Sequence, residues 1–237
     1  MENWQEDLLS ITADDAQSEQ QVFRKIEIAA QALGFEHCAY GLSLPMPISN
    51  PKIVMLNNYS ESWKQRYASA GYLHTDPTVL HARRTQAPLV WHNQAFAAVP
   101  KFWDEAQSFG LRVGWAQSSL DAVGVGGMLT LSRPADALSA SELAVKQVKM
   151  RWLVHVAHLS LSRILTAQKA AQIPKLTTRE VEVLKWTADG KTSGEISDLL
   201  AVSDATVNFH VKNAVTKLKT ANKTAAVVRA AMLGMLN

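Results

Sequence analysis

At 237 residues the chain is long enough for one large core or two domains, and 47% apolar against 19% charged residues places it with globular proteins rather than disordered ones. The longest weakly charged runs are broken by Lys, Arg, Pro or Gly well short of 18 residues, and an N-terminus carrying Glu2, Glu6 and Asp7 lacks the features of a signal peptide. A membrane span and secretion are therefore not expected, and the chain reads as cytoplasmic. The net charge of +3 is uneven: residues 1–174 carry 15 basic and 15 acidic groups, residues 175–237 carry 9 against 6, so the whole excess lies in the C-terminal quarter.

Val22, Ile26, Ala29, Ala30 and Leu33 form a helical stripe over 18–33 that stops at Gly34. Two strands are predicted at 37–44 and 51–57, separated by the proline-rich turn 45–51. The single Cys38, within the first, excludes an intrachain disulfide and a cysteine-built zinc site and reads as a small buried hydrophobe. A helix over 60–70 carries Trp63 and Tyr67 one turn apart, and Asp76-Pro77 is an N-cap followed by proline at the first helical position. Residues 88–100 read as loop, 101–109 as a short helix, and 111–120 and 125–132 as strands joined through glycines. A long apolar helix runs from Ser139 to about Thr166. The expected fold class is α+β: an α-β-α sandwich with a central antiparallel sheet over residues 1–167, a linker at 168–175 ending beyond Pro174, and an all-α helix-turn-helix domain of four helices over 176–237.

The C-terminal segment carries the clearest local signals. Thr177 with Glu180, and Thr192 with Glu195, each fit the S/T-x-x-E capping box. The first helix is expected to bury Val181, Leu184 and Ala188 and to stop at Asp189-Gly190; the second would bury Ile196, Leu199 and Leu200. After a turn at 201–203, a third helix has one apolar stripe of Val207, Val211, Ala214 or Val215, and Leu218, and Asn222 caps a fourth. The face opposite that stripe is Ala205, Thr206, Asn208, Phe209, Lys212, Asn213 and Thr216. Asn can bond an adenine edge through two hydrogen bonds, Thr and Phe can contact thymine methyls, and Lys212 and Lys217 can reach phosphates. Lys191 and Thr192 stand at a helix start, where unpaired N–H groups also attract anions. Spacing alone also allows a small helical bundle with a solvated polar face.

In the larger segment, Tyr59, Trp63, Tyr67, Asp76 and Trp91 gather amphipathic aromatics around one acid. Such side chains suit an apolar small molecule bearing a few carbonyls, and a buried Asp76 would need donors such as a ligand amide. The same spacing also fits core aromatics with Asp76 serving only as a helix cap. Histidines 74, 81 and 92 lie near Asp76, but no HxxxH, CxxC or nucleophile-elbow pattern accompanies them, so no enzyme, metal or cofactor is expected.

Leu176-Thr177-x-Arg179-Glu180, Trp186, Gly190-Lys191-Thr192, Glu195-Ile196 and Thr206-Val207-Asn208-Phe209-His210 closely resemble the C-terminal domain of LuxR-type transcription regulators. Asn58-Tyr59-x-x-x-Trp63-x-x-x-Tyr67, Asp76-Pro77, Trp91, Phe102-Trp103-x-Glu105-Ala106, Gly110-Leu111 and Gly114 are similar to the autoinducer-binding domain of the acyl-homoserine-lactone receptors, the quorum-sensing branch of that family. The resemblance spans the chain. It implies a transcription regulator that binds an N-acyl-homoserine lactone, with Trp63 donating to the lactone carbonyl, Asp76 accepting the amide N–H and Tyr59 donating to the acyl carbonyl. Tyr67 and Trp91 would pack on the head group, with Thr130 near the amide. Phe102, Leu111, Val113, Trp115 and Met128 are the further candidates, the last three for the acyl tail. Lys64 stands where one subset of the family has arginine, and Trp115 and Ala116 depart from its usual residues. The resemblance also implies a homodimer on double-stranded DNA with an imperfect palindromic site and contact with RNA polymerase. The alternative is a solitary receptor of the same fold, answering a foreign or non-lactone signal or none.

Overall fold

The computed structural model describes residues 4–12, 17–44, 46–121, 124–134, 136–170 and 175–236. Pro45 of the expected turn and residues 171–174 of the expected linker lie outside them. Two compact units divide the chain, one made of Met1–Asp121 with Val125–Thr166 and one of Ala167–Asn237.

The larger unit is built on five strands: β1 (His37–Ser43), β2 (Ile53–Asn57), β3 (Leu89–Val90), β4 (Val113–Leu120) and β5 (Gly126–Arg133). Their order across the sheet is β2-β1-β5-β4-β3, every neighbouring pair antiparallel. One face carries α1 (Trp4–Thr12), α2 (Glu19–Ala32) and α6 (Ala140–Ala170), whose Ile11, Ile26 and Leu153 pack with Tyr40, Trp115 and Leu131 of the strands in one core. The other face carries α3 (Glu61–Ser69), α4 (Pro77–Ala82) and α5 (Pro100–Ser108), whose aromatic core is separate. This is the α-β-α arrangement expected.

Local chemistry explains the helix starts. Ser18 and Gln21 close a capping box on α2, Ser60 accepts from Trp63 N on α3, Asp76 and Pro77 open α4, and Ser139 Oγ accepts from Glu142 N at the start of α6. Arg133 of β5 grips Glu142 of α6 through two hydrogen bonds of 2.8 Å, and Lys146 joins Glu142 at 2.6 Å and Leu33 O at 2.7 Å. These tie the long helix to the sheet and to the end of α2.

Two expectations are corrected here, and one helix, α1, was not expected. The stretch 88–100 is not plain loop: Leu89–Val90 pairs with Trp115 and Ala116 as the edge strand, and Asn93–Phe96 forms a 3₁₀ turn. Helix α1 buries Leu8 and Ile11 in the core and packs Trp4 against it, too short a stripe to stand out in the sequence. The helix begun at Ser139 continues to Ala170, so residues 168–170 of the expected linker are helical.

The smaller unit holds α7 (Thr178–Ala188), α8 (Ser193–Leu200), α9 (Asp204–Lys217) and α10 (Lys223–Met232). Both expected capping boxes, Thr177–Glu180 and Thr192–Glu195, are formed, and Asn222 Oδ1 accepts from Ala225 N at 2.9 Å. Gly190 takes φ +86° past the end of α7, a conformation that costs glycine little. Val183 and Leu184, not Val181 and Ala188, are the buried pair of α7, and Leu199 is 52% exposed on α8. On α8, Ile196 and Ser197 are the buried residues.

Candidate functional site

Between the sheet and α3–α5 lies a cavity of about 400 Å³, within the range of about 300–1,000 Å³ typical of small-molecule sites. Its walls follow from the two-residue alternation of the strands. Met128 and Thr130 of β5, with Ala39 of β1 and Met55 of β2, reach it from the sheet. Leu129 and Leu131 point instead into the α2/α6 core.

That alternation overturns two of the proposed tail contacts. Trp115 and Val113 do not line the cavity; Trp115 is opposite Leu131 in the ladder and 1% exposed in the α2/α6 core. The strand presents Gly114 and Ala116 to the cavity side, Ala116 opposite Thr130. Gly114 is required there: a Cβ on it would lie 2.3 Å from the indole of Trp91, whose backbone N–H donates to Gly114 O at 2.8 Å.

The other proposed ligand residues are brought together. Tyr59, Trp63, Tyr67, Asp76, Trp91, Phe102, Leu111, Met128 and Thr130 all line this cavity. Trp63 is 3% exposed, held by Tyr67, Tyr72, Phe102 and Phe109 at ring distances of 5.2–6.1 Å. Asp76 Oδ1 accepts from Thr78 N at 2.8 Å and Thr78 Oγ1 at 2.6 Å, while Oδ2 accepts from Tyr67 OH at 2.9 Å. Burial pushes the Asp76 carboxyl above the usual carboxylate range, and hydrogen bonds from Thr78, Tyr67 and the Val79 backbone only partly offset it. Oδ2 carries the one hydrogen bond from Tyr67 OH, and a carboxylate oxygen can accept two, so Oδ2 retains a position for an N–H from a guest. The Trp91 indole N–H is buried without a partner, a second polar atom that a guest can satisfy.

The wall opposite the sheet is fixed by an ion pair. Arg66 of α3 binds Glu105 of α5 through two hydrogen bonds of 2.6 and 2.7 Å, and Tyr72 OH adds a third at 2.7 Å. Hydrogen bonding from Arg66 and Tyr72 pulls the Glu105 carboxyl down to about 2. Sequence reasoning missed the contribution of β2, Ile53 and Met55, and of Val79 and Ala106. Nothing in their type marked them, since an apolar residue facing a cavity is indistinguishable in sequence from one facing a core. Of the three histidines near Asp76, His74 borders the cavity, whereas His81 and His92 make backbone hydrogen bonds with Ala87 O and Ala95 N. Among the described residues no cluster of three metal-ligating side chains exists.

In the smaller unit, α8 and α9 meet across the turn at Ala201, which takes φ +51°. Val207, Ala214 and Leu218 of α9 are fully buried, which turns Ala205, Asn208, Phe209, Lys212 and Thr216 outward; Phe209 is 60% exposed. Thr206 and Asn213 are half-buried on the same side. Lys217 is different. Its Nζ lies 2.8 Å from Glu180 Oε2, so the cation proposed for phosphate is committed to the helix bundle. Thr192 Oγ1 is likewise occupied within its capping box, and Lys191 lies 3.7 Å from Glu195.

A ligand-sized aromatic cavity in one unit and an outward polar helix in a helix-turn-helix in the other define a ligand-responsive, DNA-binding transcription regulator. Comparison with known proteins agrees. Residues 18–161 match the autoinducer binding domain and residues 174–230 the bacterial regulatory proteins of the luxR family. The chain is 45% identical over 239 residues, the full length of both, to the transcriptional activator protein AnoR of Acinetobacter nosocomialis. SdiA of Escherichia coli in complex with octanoyl-rac-glycerol superposes with a TM-score of 0.82 at 31% identity, covering 99% of this chain and 95% of that one. The N-acylhomoserine-lactone-dependent factor CepR2 of Burkholderia cenocepacia gives 0.63 at 30%, covering 69% and 95%. The chain belongs to the LuxR family of bacterial transcription regulators, whose members are regulators and not enzymes. Among its described residues no helix is long and apolar enough to cross a membrane.

Proposed function

We propose that the cavity binds an N-acyl-homoserine lactone and that the occupied protein activates transcription as a homodimer on an imperfect palindrome. The observation that carries the ligand assignment is the free acceptor position on Asp76, buried at 8% exposure beside Trp63, Tyr59 and Thr130 in an otherwise apolar cavity. A lactone supplies the matching groups: an amide N–H for Asp76, an acyl carbonyl for Tyr59, and a ring carbonyl for the indole of Trp63. Its acyl chain would run over Met55 and Met128, whose unbranched side chains adapt to different tails. Each methylene so buried contributes about 0.8 kcal/mol. The solved complex of SdiA with an octanoyl glyceride and the lactone dependence of CepR2 support an acylated guest.

The dimer is supported by an exposed stripe on α6: Val145 at 72%, Val148 at 52%, Trp152 at 50% and Leu159 at 54%. With His155 these recur at alternating steps of three and four residues, the spacing of a two-helix seam. Two copies of α9 then read two half-sites about one turn of DNA apart, and the activator names of the relatives support contact with RNA polymerase.

Binding to the folded state alone stabilises by about 2.7 kcal/mol at a hundred times Kd. In a domain of this size that raises the melting temperature by roughly 5–10 °C. The test is production of the protein with and without lactones from butanoyl to dodecanoyl, reading soluble yield and melting temperature. At least one lactone is expected to raise both; a panel that moves neither removes the lactone assignment and leaves the solitary-receptor reading.

A further inference from the structure

On the sheet face away from the ligand cavity, α1, α2 and α6 leave a second hollow, a groove of about 280 Å³. Its floor is apolar: Trp4 and Leu8 of α1, Ile28 and Ala29 of α2, and Leu33 just beyond. Two lysines complete the lining, Lys25 of α2 and Lys149 of α6, and among the described residues no carboxylate does. Both are half-buried, which lays the alkyl stems against apolar surface. Lys25 Nζ donates to Ser10 O at 2.8 Å, and Lys149 Nζ lies 5.6 Å from the centre of the Trp4 ring. Other half-buried lysines of this chain are neutralised: Lys64 by Glu61, Lys146 by Glu142 and Lys217 by Glu180. Among the described residues Lys25 and Lys149 have no such partner, and Lys149 has no oxygen acceptor for its three N–H groups.

We propose that this groove is a second ligand site, which binds a free medium-chain fatty acid as its carboxylate. The head group sits on the Lys149 ammonium, and the alkyl chain lies over Trp4, Leu8, Ile28 and Ala29. Charge selects the head: two unpaired cations and no acid line the groove, so an anion is attracted and a cationic amphiphile repelled. Volume selects the body. The groove falls just below the usual range of about 300–1,000 Å³ for small-molecule sites and takes a single alkyl chain, not a two-chain lipid. A protein partner would need roughly 800 Å² on each side, far more surface than the groove presents. Because Lys149 belongs to α6 and the floor to α1 and α2, the guest joins three helices of the unit. The groove and the lactone cavity lie on opposite faces of the sheet, so the proposal stands apart from what fills that cavity.

The experiment is calorimetric titration of the full-length protein with decanoate, in the presence of saturating N-octanoyl-homoserine lactone so that decanoate does not compete for the cavity. Decan-1-ol and decyltrimethylammonium carry the same tail with a neutral and a cationic head. The readout is the decanoate binding that Ala32→Trp removes, since Ala32 also lines the groove, is exposed, and can be enlarged to fill it. Defined by that variant, the signal is attributable to the groove even if no lactone binds. Wild type is expected to take up about one decanoate per chain in this component, with decan-1-ol and the Lys149→Gln variant each about tenfold weaker, the loss of one charge-assisted hydrogen bond. Should Lys149→Gln melt well below wild type, Ala32→Trp and the two control heads carry the test without it. No saturable binding of decanoate up to about 1 mM, or binding that Ala32→Trp leaves intact, overturns the proposal. Equal affinity for decanoate and decan-1-ol overturns it too, as does binding to anionic phospholipid vesicles with none to decanoate, which would make the groove a membrane contact.

Discussion

Lys217 Nζ lies 2.8 Å from Glu180 Oε2, a carboxylate whose side chain is 3% exposed and which also caps α7. The pair joins the end of the recognition helix to the first helix of its domain. Burial alone would raise the Glu180 pKa, but Lys217 and the Thr177 amide outweigh it and the carboxyl stays below its ordinary value.

Lys217→Ala strands that buried carboxylate. Fully buried pairs cost about 3–5 kcal/mol when one partner is removed; with Lys217 at 37% exposure, about 2 kcal/mol is expected here. The domain's unfolding midpoint should drop while the slope of log affinity for DNA against log salt is retained. Lys212→Ala should do the reverse, leaving the midpoint and lowering the slope by about 0.9. Measuring both quantities for both variants separates a structural lysine from a phosphate contact.

Gly114→Ala is expected to disable the cavity without unfolding the sheet. The added methyl would meet the rigid Trp91 indole at 2.3 Å, so that ring must move into the cavity it lines. Ligand-induced stabilisation should be lost, while far-ultraviolet circular dichroism stays that of wild type. Full retention of the ligand shift would show that Trp91 does not shape the binding space.

Acid should loosen the anchor of α6. Hydrogen bonds from Arg133 and Lys146 pull the Glu142 carboxyl down to about 2 in the folded protein, against about 4.3 for an unperturbed glutamate. Because the folded pKa is depressed, the stabilisation is complete above about pH 5 and disappears as pH falls through about 4 toward 2. The unfolding midpoint of Glu142→Gln should therefore lie below wild type at neutral pH and converge with it near pH 2. A gap that persists unchanged at pH 2 would assign the effect to packing.

Trp152→Glu places a charge in the exposed stripe of α6. Sedimentation of the lactone-bound protein is expected to show dimer for wild type and mainly monomer for the variant; a variant dimer as tight as wild type would move the interface elsewhere.

Most of the architecture was legible because its signals are local. Capping boxes at Thr177 and Thr192, the Asp76-Pro77 start and the glycine stop at 190 each depend on a few adjacent residues, and all formed. The cavity aromatics were legible through their resemblance to a family, not through spacing, which a plain core would meet equally. What failed depends on contacts far apart in sequence. Trp115 and Val113 were assigned to the cavity because strand register decides which face a residue takes, and the sequence alone does not count that register from its partner strand. Lys217 was read as free because its partner Glu180 lies 37 residues earlier.

The central claim is that the cavity around Asp76 holds a lactone, and retention of that molecule tests it most directly. Asp76→Asn keeps the Oδ1 cap on Thr78 but replaces the Oδ2 acceptor with a donor, which Tyr67 OH can still meet by accepting but which opposes the ligand amide. Wild type and Asp76→Asn would be purified from cells supplied with N-octanoyl-homoserine lactone, and the molecule extracted from each quantified by mass spectrometry. About one lactone per wild-type chain and a at least tenfold lower amount in the variant, equivalent to losing about 1.4 kcal/mol of binding, is the result predicted. No lactone on wild type, or equal amounts on both, would contradict it.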